Sequence, residues 1–422
     1  MIIILFMYIF MIPLKGNLQF ITSNIVVGFI LSVYFIINSR YRGIVIRILK
    51  NKRVLFIFSF LIIIIMYSLF IPTLLRTYDY SIIKTLINQL INLIIGILIY
   101  SLYYKKNDTN KILQNLIYVF IFQSVIQIVS FVSPGINDFL NHFRTDDVIL
   151  RGQLGYGGIR GLSISGSAFF GLAVSYGLII IYYLDNWTKL FPKYPILRIV
   201  FFASVLFGAI SSARISLVGL ILGSFYVLIS WILKYKHGLR ITKFSKRSYK
   251  SIVITTLLVL IIIYITQTAF NNDRFIVQFE RFQSFALEIF KTTNNSGRFS
   301  TSSTDVLFGK MYFPIDFKTF VIGDGMYSNS FGSYYMGTDA GYMRNILFFG
   351  VIGILLLFCY QILFFDWRWN KNNLRNIFIM FFILISHIKG ETLGFLIMMQ
   401  NMLFILHLRN CILLNQQSIE HR

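Results

Sequence analysis

From Val54 to Pro72 the chain runs without a single charged side chain, and runs of this kind recur along its whole length. About 20 consecutive apolar residues cross a bilayer as a helix, because a helix satisfies its own backbone polar groups where no water can. Twelve such spans are read, at roughly 2–14, 19–38, 54–72, 82–103, 112–133, 162–184, 196–212, 215–233, 251–270, 341–365, 374–388 and 392–408. The fold class expected is an all-α polytopic membrane protein of about 12 transmembrane helices, with one large and one medium outer loop. Composition points the same way. With 56% hydrophobic and 13% charged residues and a mean hydropathy of +0.71, the chain lacks the polar surface to cover a soluble globule. The six prolines fall at the ends of apolar runs or between them, as continuous helices in lipid require.

Lys and Arg set the orientation. The segment 39–53 carries Arg40, Arg42, Arg47, Lys50, Lys52 and Arg53 with no acid. The segment 234–250 carries Lys234, Lys236, Arg240, Lys243, Lys246, Arg247 and Lys250, again with none. Both are expected on the cytoplasmic side, which puts both termini there as well. The net charge of +23 would suggest nucleic acid in a soluble chain; here it reads as cytoplasmic anchoring, with no nucleic-acid partner. Met1–Leu14 lacks a basic n-region and a small-residue cleavage site and reads as a retained span. The only cysteines, Cys359 and Cys411, imply no disulfide framework, and no cluster has metal-ligand spacing.

Three regions follow: an N-terminal transmembrane bundle over 1–270 (about nine spans, with an outer loop at 134–161), a large external loop over 271–340, and a C-terminal bundle of three spans with a cytoplasmic tail over 341–422. The parity rests on a hairpin between Ile196 and Leu233 that turns at Ser211-Ser212-Ala213-Arg214. Arg214 then lies at an outer membrane boundary, either as a snorkelling anchor or as a ligand for an anionic group. The outer loop 134–161 ends in Gly152, Gly155, Gly157 and Gly158, then Arg160-Gly161; such backbone suits flexible re-entry or an anion-binding nest. In the large loop, Phe275, Phe279, Phe282, Ala286, Ile289 and Phe290 form one helical stripe, expected to lie in the lipid interface. A polar Ser/Thr/Asn stretch containing Arg298 follows, then Gly323-Asp324-Gly325 and Asp339-Ala340-Gly341-Tyr342.

Arg160-Gly161-Leu162-Ser163-Ile164-Ser165, the boundary Ser212-Ala213-Arg214, Gly323-Asp324-Gly325 and Asp339-Ala340-Gly341-Tyr342 with Phe348-Phe349-Gly350-Val351-Ile352-Gly353 together resemble the O-antigen polymerase/ligase superfamily, and more narrowly its Wzy-type polymerases. That family is also described by Arg-x10-Gly in two outer loops, here Arg160 to Gly171 and Arg298 to Gly309, with Arg144 to Gly155 a third match. The related ligases carry a His near the end of the large outer loop; here the external histidines are His142 and His387, and the large loop has none. That departure favours polymerase over ligase. A flippase or transporter would need charges lining a path within several spans, and these spans carry almost none between their ends.

The resemblance implies polymerisation of undecaprenyl-diphosphate-linked oligosaccharide repeat units, for O-antigen or capsule, at the outer face of a bacterial inner membrane. A flippase and a chain-length regulator would be its partners, membrane lipid its surroundings, and no cofactor or metal is implied. The leaving diphosphate needs permanent, bidentate positive charge, for which Arg160, Arg214, Arg298 and Arg344 are the candidates. The acceptor hydroxyl needs a base, for which Asp339 and Asp324 come first and His387 with Glu391 third. Bland alternatives stand beside two of these: Asp324 between glycines suits a turn, and Asp339 before Gly341 suits a helix cap.

Overall fold

The structure, a computed structural model, describes residues 1–14, 21–154, 158–167, 169–192, 194–236, 273–288, 301–329, 332–367 and 373–420. The expected span 251–270, the basic segment beyond Lys236, and Arg298 lie outside the described residues.

The described residues form helices and no strand. The first half holds α1 (Ile2–Phe10), α2 (Ser23–Ile37), α3 (Ser39–Leu49), α4 (Lys52–Leu74), α5 (Ser81–Lys105), α6 (Ile112–Val132), α7 (Pro134–Asn141), α8 (Asp146–Leu154), α9 (Phe170–Asp185), α10 (Pro195–Ser212) and α11 (Ser216–Lys236). The second holds α12 (Asp273–Ala286), α13 (Ser302–Val306), α14 (Phe317–Ile322), α15 (Gly341–Leu363), α16 (Asn373–Lys389) and α17 (Ile397–Glu420). Among the described residues six helices are long and apolar enough to cross a membrane, or seven if the bent pair α2–α3 counts as one. An all-α membrane architecture stands; among the described residues the expected count of twelve spans is not confirmed.

Local backbone explains part of the difference. The run read as 2–14 stops at Phe10, where Met11 turns into the left-handed region with φ 46°. The run read as 162–184 turns helical only at Phe170. These two shortened pieces meet: the Gly166 N–H donates to the Phe10 carbonyl at 2.8 Å, and a Cβ at residue 166 would stand 2.3 Å from the Met11 carbonyl oxygen. Irregular backbone at this depth is tolerable because protein rather than lipid surrounds it. The basic segment 39–53, expected as a loop, is largely helical. Asn38 ends α2 and accepts the Tyr41 N–H at the start of α3, and the axes turn by 112° there.

The spans pack through small residues and buried polar groups, the means left to helices where solvent is as apolar as their side chains. A Cβ at Gly219 of α11 would come 2.5 Å from the Gly177 Cα of α9. Tyr176 of α9 donates to Gln127 of α6 at 2.8 Å, and the Gln127 amide donates to Ser212 of α10 at 3.1 Å. Asn92 of α5 accepts from Asn24 of α2 at 2.8 Å and from Asn401 of α17 at 3.3 Å.

Because successive long helices alternate in direction, the α4–α5 turn, the α10–α11 turn, the start of α15 and the end of α16 gather at one end of the bundle. The ion pairs Arg53–Asp366 (3.1 Å) and Arg375–Asp185 (2.8 Å) mark the other. The expected hairpin turn is present, α10 ending at Ser212 and α11 starting at Ser216. The Gly323-Asp324-Gly325 turn is a packing device. Gly350 breaks the helical geometry of α15 at φ 64°, and a Cβ there would meet the Val321 carbonyl at 2.2 Å. At Gly323, with φ 85°, a Cβ would meet the Phe348 carbonyl at 2.5 Å. Asp324 serves this turn: its N–H donates to the Leu347 carbonyl, and its carboxylate accepts from the Thr319 hydroxyl, both at 2.6 Å.

Candidate functional site

Arg160 and Arg214, 54 positions apart in sequence, converge on one ring. Their guanidinium carbons lie 4.9 and 4.8 Å from the centroid of Phe285, whose side chain is 1% exposed. Phe285 is delivered by α12. Of the stripe expected in the lipid interface, Phe279 and Phe282 are buried against protein: Phe282 packs edge-on and tilted against Phe131 of α6 and Phe207 of α10, with centroids 6.2 and 5.1 Å away. Ile289 and Phe290 lie outside the described residues.

Just beyond α12, Glu288 fixes the arrangement. It accepts from Arg214 Nη1 at 2.6 Å and from the Ser302 N–H and hydroxyl at 3.1 and 2.8 Å. Its carboxyl lies below the usual range: the Ser302 and Arg214 hydrogen bonds outweigh burial, which acts the other way. Arg214 is buried, and its Nη2 has no hydrogen-bond partner among the described residues. A guanidinium nitrogen desolvated in this way stays uncompensated until an acceptor arrives.

Beside this pair lies a cavity of about 270 Å³ whose walls include Ser302, Ser303, Leu307, Met311, Asp339 and Lys389. Lys389, the last residue of α16, donates to the Ser303 hydroxyl at 3.2 Å and feels the charges of Arg214, Arg160, Asp339 and Glu288. Asp339 is open to solvent at the cavity mouth. The walls still displace enough water to raise its carboxyl above the ordinary range, against the lowering pull of Lys389 and Arg344. Asp339 does not cap α15. Ala340 occupies that position without a side-chain cap, and the Thr338 hydroxyl takes the Ala340 N–H at 3.3 Å. Gly341 lets α15 start this close to α16, since a Cβ there would meet the His387 carbonyl at 2.4 Å.

Arg344 stands one turn into α15, and its charge is already matched. Its Nη1 lies 2.8 Å from Glu391 Oε2, both side chains being 8% exposed. Its guanidinium sits between the rings of Tyr327 and Tyr334, 4.0 and 3.9 Å from their centroids. The Tyr327 hydroxyl donates to the same Glu391 carboxylate. Burial pushes the Glu391 carboxyl up, with Arg344 and Tyr327 opposing. Asp79, in the α4–α5 turn, accepts the N–H groups of Tyr327 and Ser328 at 2.6 and 2.8 Å and so ties this loop to the bundle.

His387 is a buried architectural residue rather than a base. Its Nδ1 accepts from the N–H groups of Thr392 and Leu393 at 3.0 and 3.3 Å, and its ring packs edge-on to Tyr342. Its Nε2 lies 3.0 Å from Asn345 Nδ2; with Nδ1 accepting, the ring proton sits on Nε2, so the Asn345 amide must turn its oxygen to that nitrogen to receive it. Arg144, the third Arg-x10-Gly match, is likewise engaged, donating to the Ser163 carbonyl at 2.8 Å and to Asn137 and Asn141 at 2.7 Å each.

Of the candidates read from sequence, Arg160, Arg214 and Asp339 therefore share one site, Arg344 stands next to it in a closed ion pair, and Asp324 serves a turn. Lys389, Glu288 and Phe285, absent from the candidates that the sequence offers, complete the site. Lys389 left one trace, a lone cation closing an apolar run ahead of Gly390-Glu391. No family model, no curated protein and no solved structure matches this chain.

Proposed function

We propose that this protein polymerises undecaprenyl-diphosphate-linked oligosaccharide units at the outer face of a bacterial inner membrane. One observation carries the reading: two guanidinium groups flanking Phe285 adjoin a cavity that holds a carboxylate and an ammonium, all at one end of an apolar helical bundle. That set suits transfer from a lipid diphosphate, and the motif resemblance narrows it to a Wzy-type reaction.

In this reading Arg160 and Arg214 hold the diphosphate of the donor, and Lys389 adds charge toward the leaving oxygen. The acceptor sugar hydroxyl attacks the anomeric carbon, and its oxygen forms the new glycosidic bond. The bond from the anomeric carbon to the diphosphate oxygen breaks, and undecaprenyl diphosphate leaves with that electron pair. Asp339 takes the hydroxyl proton. Arg344 and Glu391 hold the loop that carries Tyr327 and Tyr334.

The test is the surface polysaccharide of a deletion strain. Loss of a polymerase leaves single repeat units attached to the final carrier in place of a ladder. A strain with no attached units would point to a ligase or a flippase and remove this reading.

A further inference from the structure

At the other end of the bundle lies a second cavity, of about 290 Å³, between α6, the segment after α9, and α17. Asn110, Gln114, Asn186, Lys189 and Arg409 supply its polar walls, with Ile117 among its apolar residues. Among the described residues no carboxylate lines it. The acidic groups of the flanking segments are already engaged. Asp185 accepts from Arg375 at 2.8 Å and from Tyr226 at 2.5 Å, and Asp108 pairs with Lys111 at 2.7 Å. Arg375 repels Arg409, and Asp185 attracts it more weakly.

Arg409 Nε is buried and has no hydrogen-bond partner among the described residues. Lys189 is exposed at the rim. A buried guanidinium donor without an acceptor, a second cation, side-chain amides and no acid describe a receptor for a multivalent oxyanion. Basic cavities between membrane helices on the Lys/Arg-rich side take phosphate-bearing head groups. We propose that this cavity binds a phosphate group, supplied either by an anionic lipid head group or by free phosphate, at a site separate from the one around Phe285. Arg409 would grip it bidentately, Lys189 would neutralise it from the rim, and Asn110 or Asn186 would orient it.

The full chain, delipidated in detergent, provides the test in two arms. Native mass spectrometry follows retention of phosphatidylglycerol against uncharged diacylglycerol. Thermal melting follows stabilisation by inorganic phosphate against chloride at equal ionic strength. Lys189→Gln, an exposed change that leaves the fold intact, is expected to weaken the responsive ligand about fivefold, the value of one basic group near a phosphate surface. Arg409→Lys keeps the charge, removes the fork and is expected to weaken the same ligand. Loss of lipid retention in Lys189→Gln identifies a head group; loss of phosphate stabilisation alone identifies free phosphate. The proposal is overturned if wild type responds to neither ligand, or if its responses persist unchanged in both variants.

Discussion

Arg344 and Glu391 lie 47 positions apart in sequence and form a buried ion pair of 2.8 Å, the guanidinium held between the rings of Tyr327 and Tyr334. A pair this enclosed is costly to halve, because the remaining charge keeps its desolvation penalty without its partner. Glu391→Ala is expected to lower unfolding stability by about 3–5 kcal/mol, and Arg344→Met with Glu391→Met to recover much of that loss. Thermal unfolding of the purified variants in one detergent checks it. A double variant no better than Glu391→Ala would show that the pair acts through its hydrogen bonds to the loop rather than through charge balance.

Arg160 and Arg214 separate a phosphate clamp from a lipid anchor. Arg→Ala at either position should reduce polymer formation about 10²-fold or more at unchanged protein level, the usual cost of one lost transition-state donor. Arg→Lys should restore it only in part, because an ammonium neither stacks on Phe285 as a plane nor binds phosphate bidentately. Chain-length profiles of the variants decide, and full activity with Lys at both positions would reduce them to anchors.

In the proposed mechanism Asp339 must be ionised to accept a proton; the cavity walls displace enough water to hold its carboxyl above the usual range, while Lys389 and Arg344 lower it. Activity in membrane vesicles should therefore fall on acidification, at a pH above that of an ordinary Asp. Lys389→Met removes a lowering influence and should move this acidic limb to still higher pH. Asp339→Asn should abolish polymer without loss of fold, since Asp339 caps no helix. An acidic limb unmoved by Lys389→Met would assign it to another group.

Gly350→Ala tests the turn that seats the loop. A Cβ at residue 350 would meet the Val321 carbonyl at 2.2 Å in a left-handed backbone. A loss of at least about 1–2 kcal/mol is expected from the backbone term alone. Lower expression and a reduced melting temperature should accompany weaker polymer formation, although residue 350 touches none of the charged groups.

Orientation follows from the charge rule: Ser303, beside Lys389, should face outward, and Ser245, within the basic segment, should face the cytoplasm. Single cysteines at these positions, with Cys359 and Cys411 replaced, can be labelled in spheroplasts by an impermeant thiol reagent. Labelling at 245 and protection at 303 would reverse the orientation and place the Phe285 site inside the cell.

Hydropathy by itself determined that this chain is an all-α membrane protein, because a lipid-facing backbone has so few ways to satisfy its polar groups. Local composition also located the turn at Ser211–Arg214, which a Ser/Ala/Arg break between apolar runs makes visible. The lengths of the spans were not legible in the same way. Leu162–Ser167 interrupts its apolar run with Ser163, Ser165, Gly166 and Ser167, and it stays irregular where Gly166 meets the end of α1 and Ser165 bonds to Ser167. Sequence likewise offered Arg160, Arg214 and Arg344 as equals. Tertiary structure separated them by bringing Glu391 to Arg344, Phe285 to both of the others and Glu288 to Arg214. Periodicity reports which face of a helix is apolar, but which charge meets which across distant segments depends on how the helix ends converge.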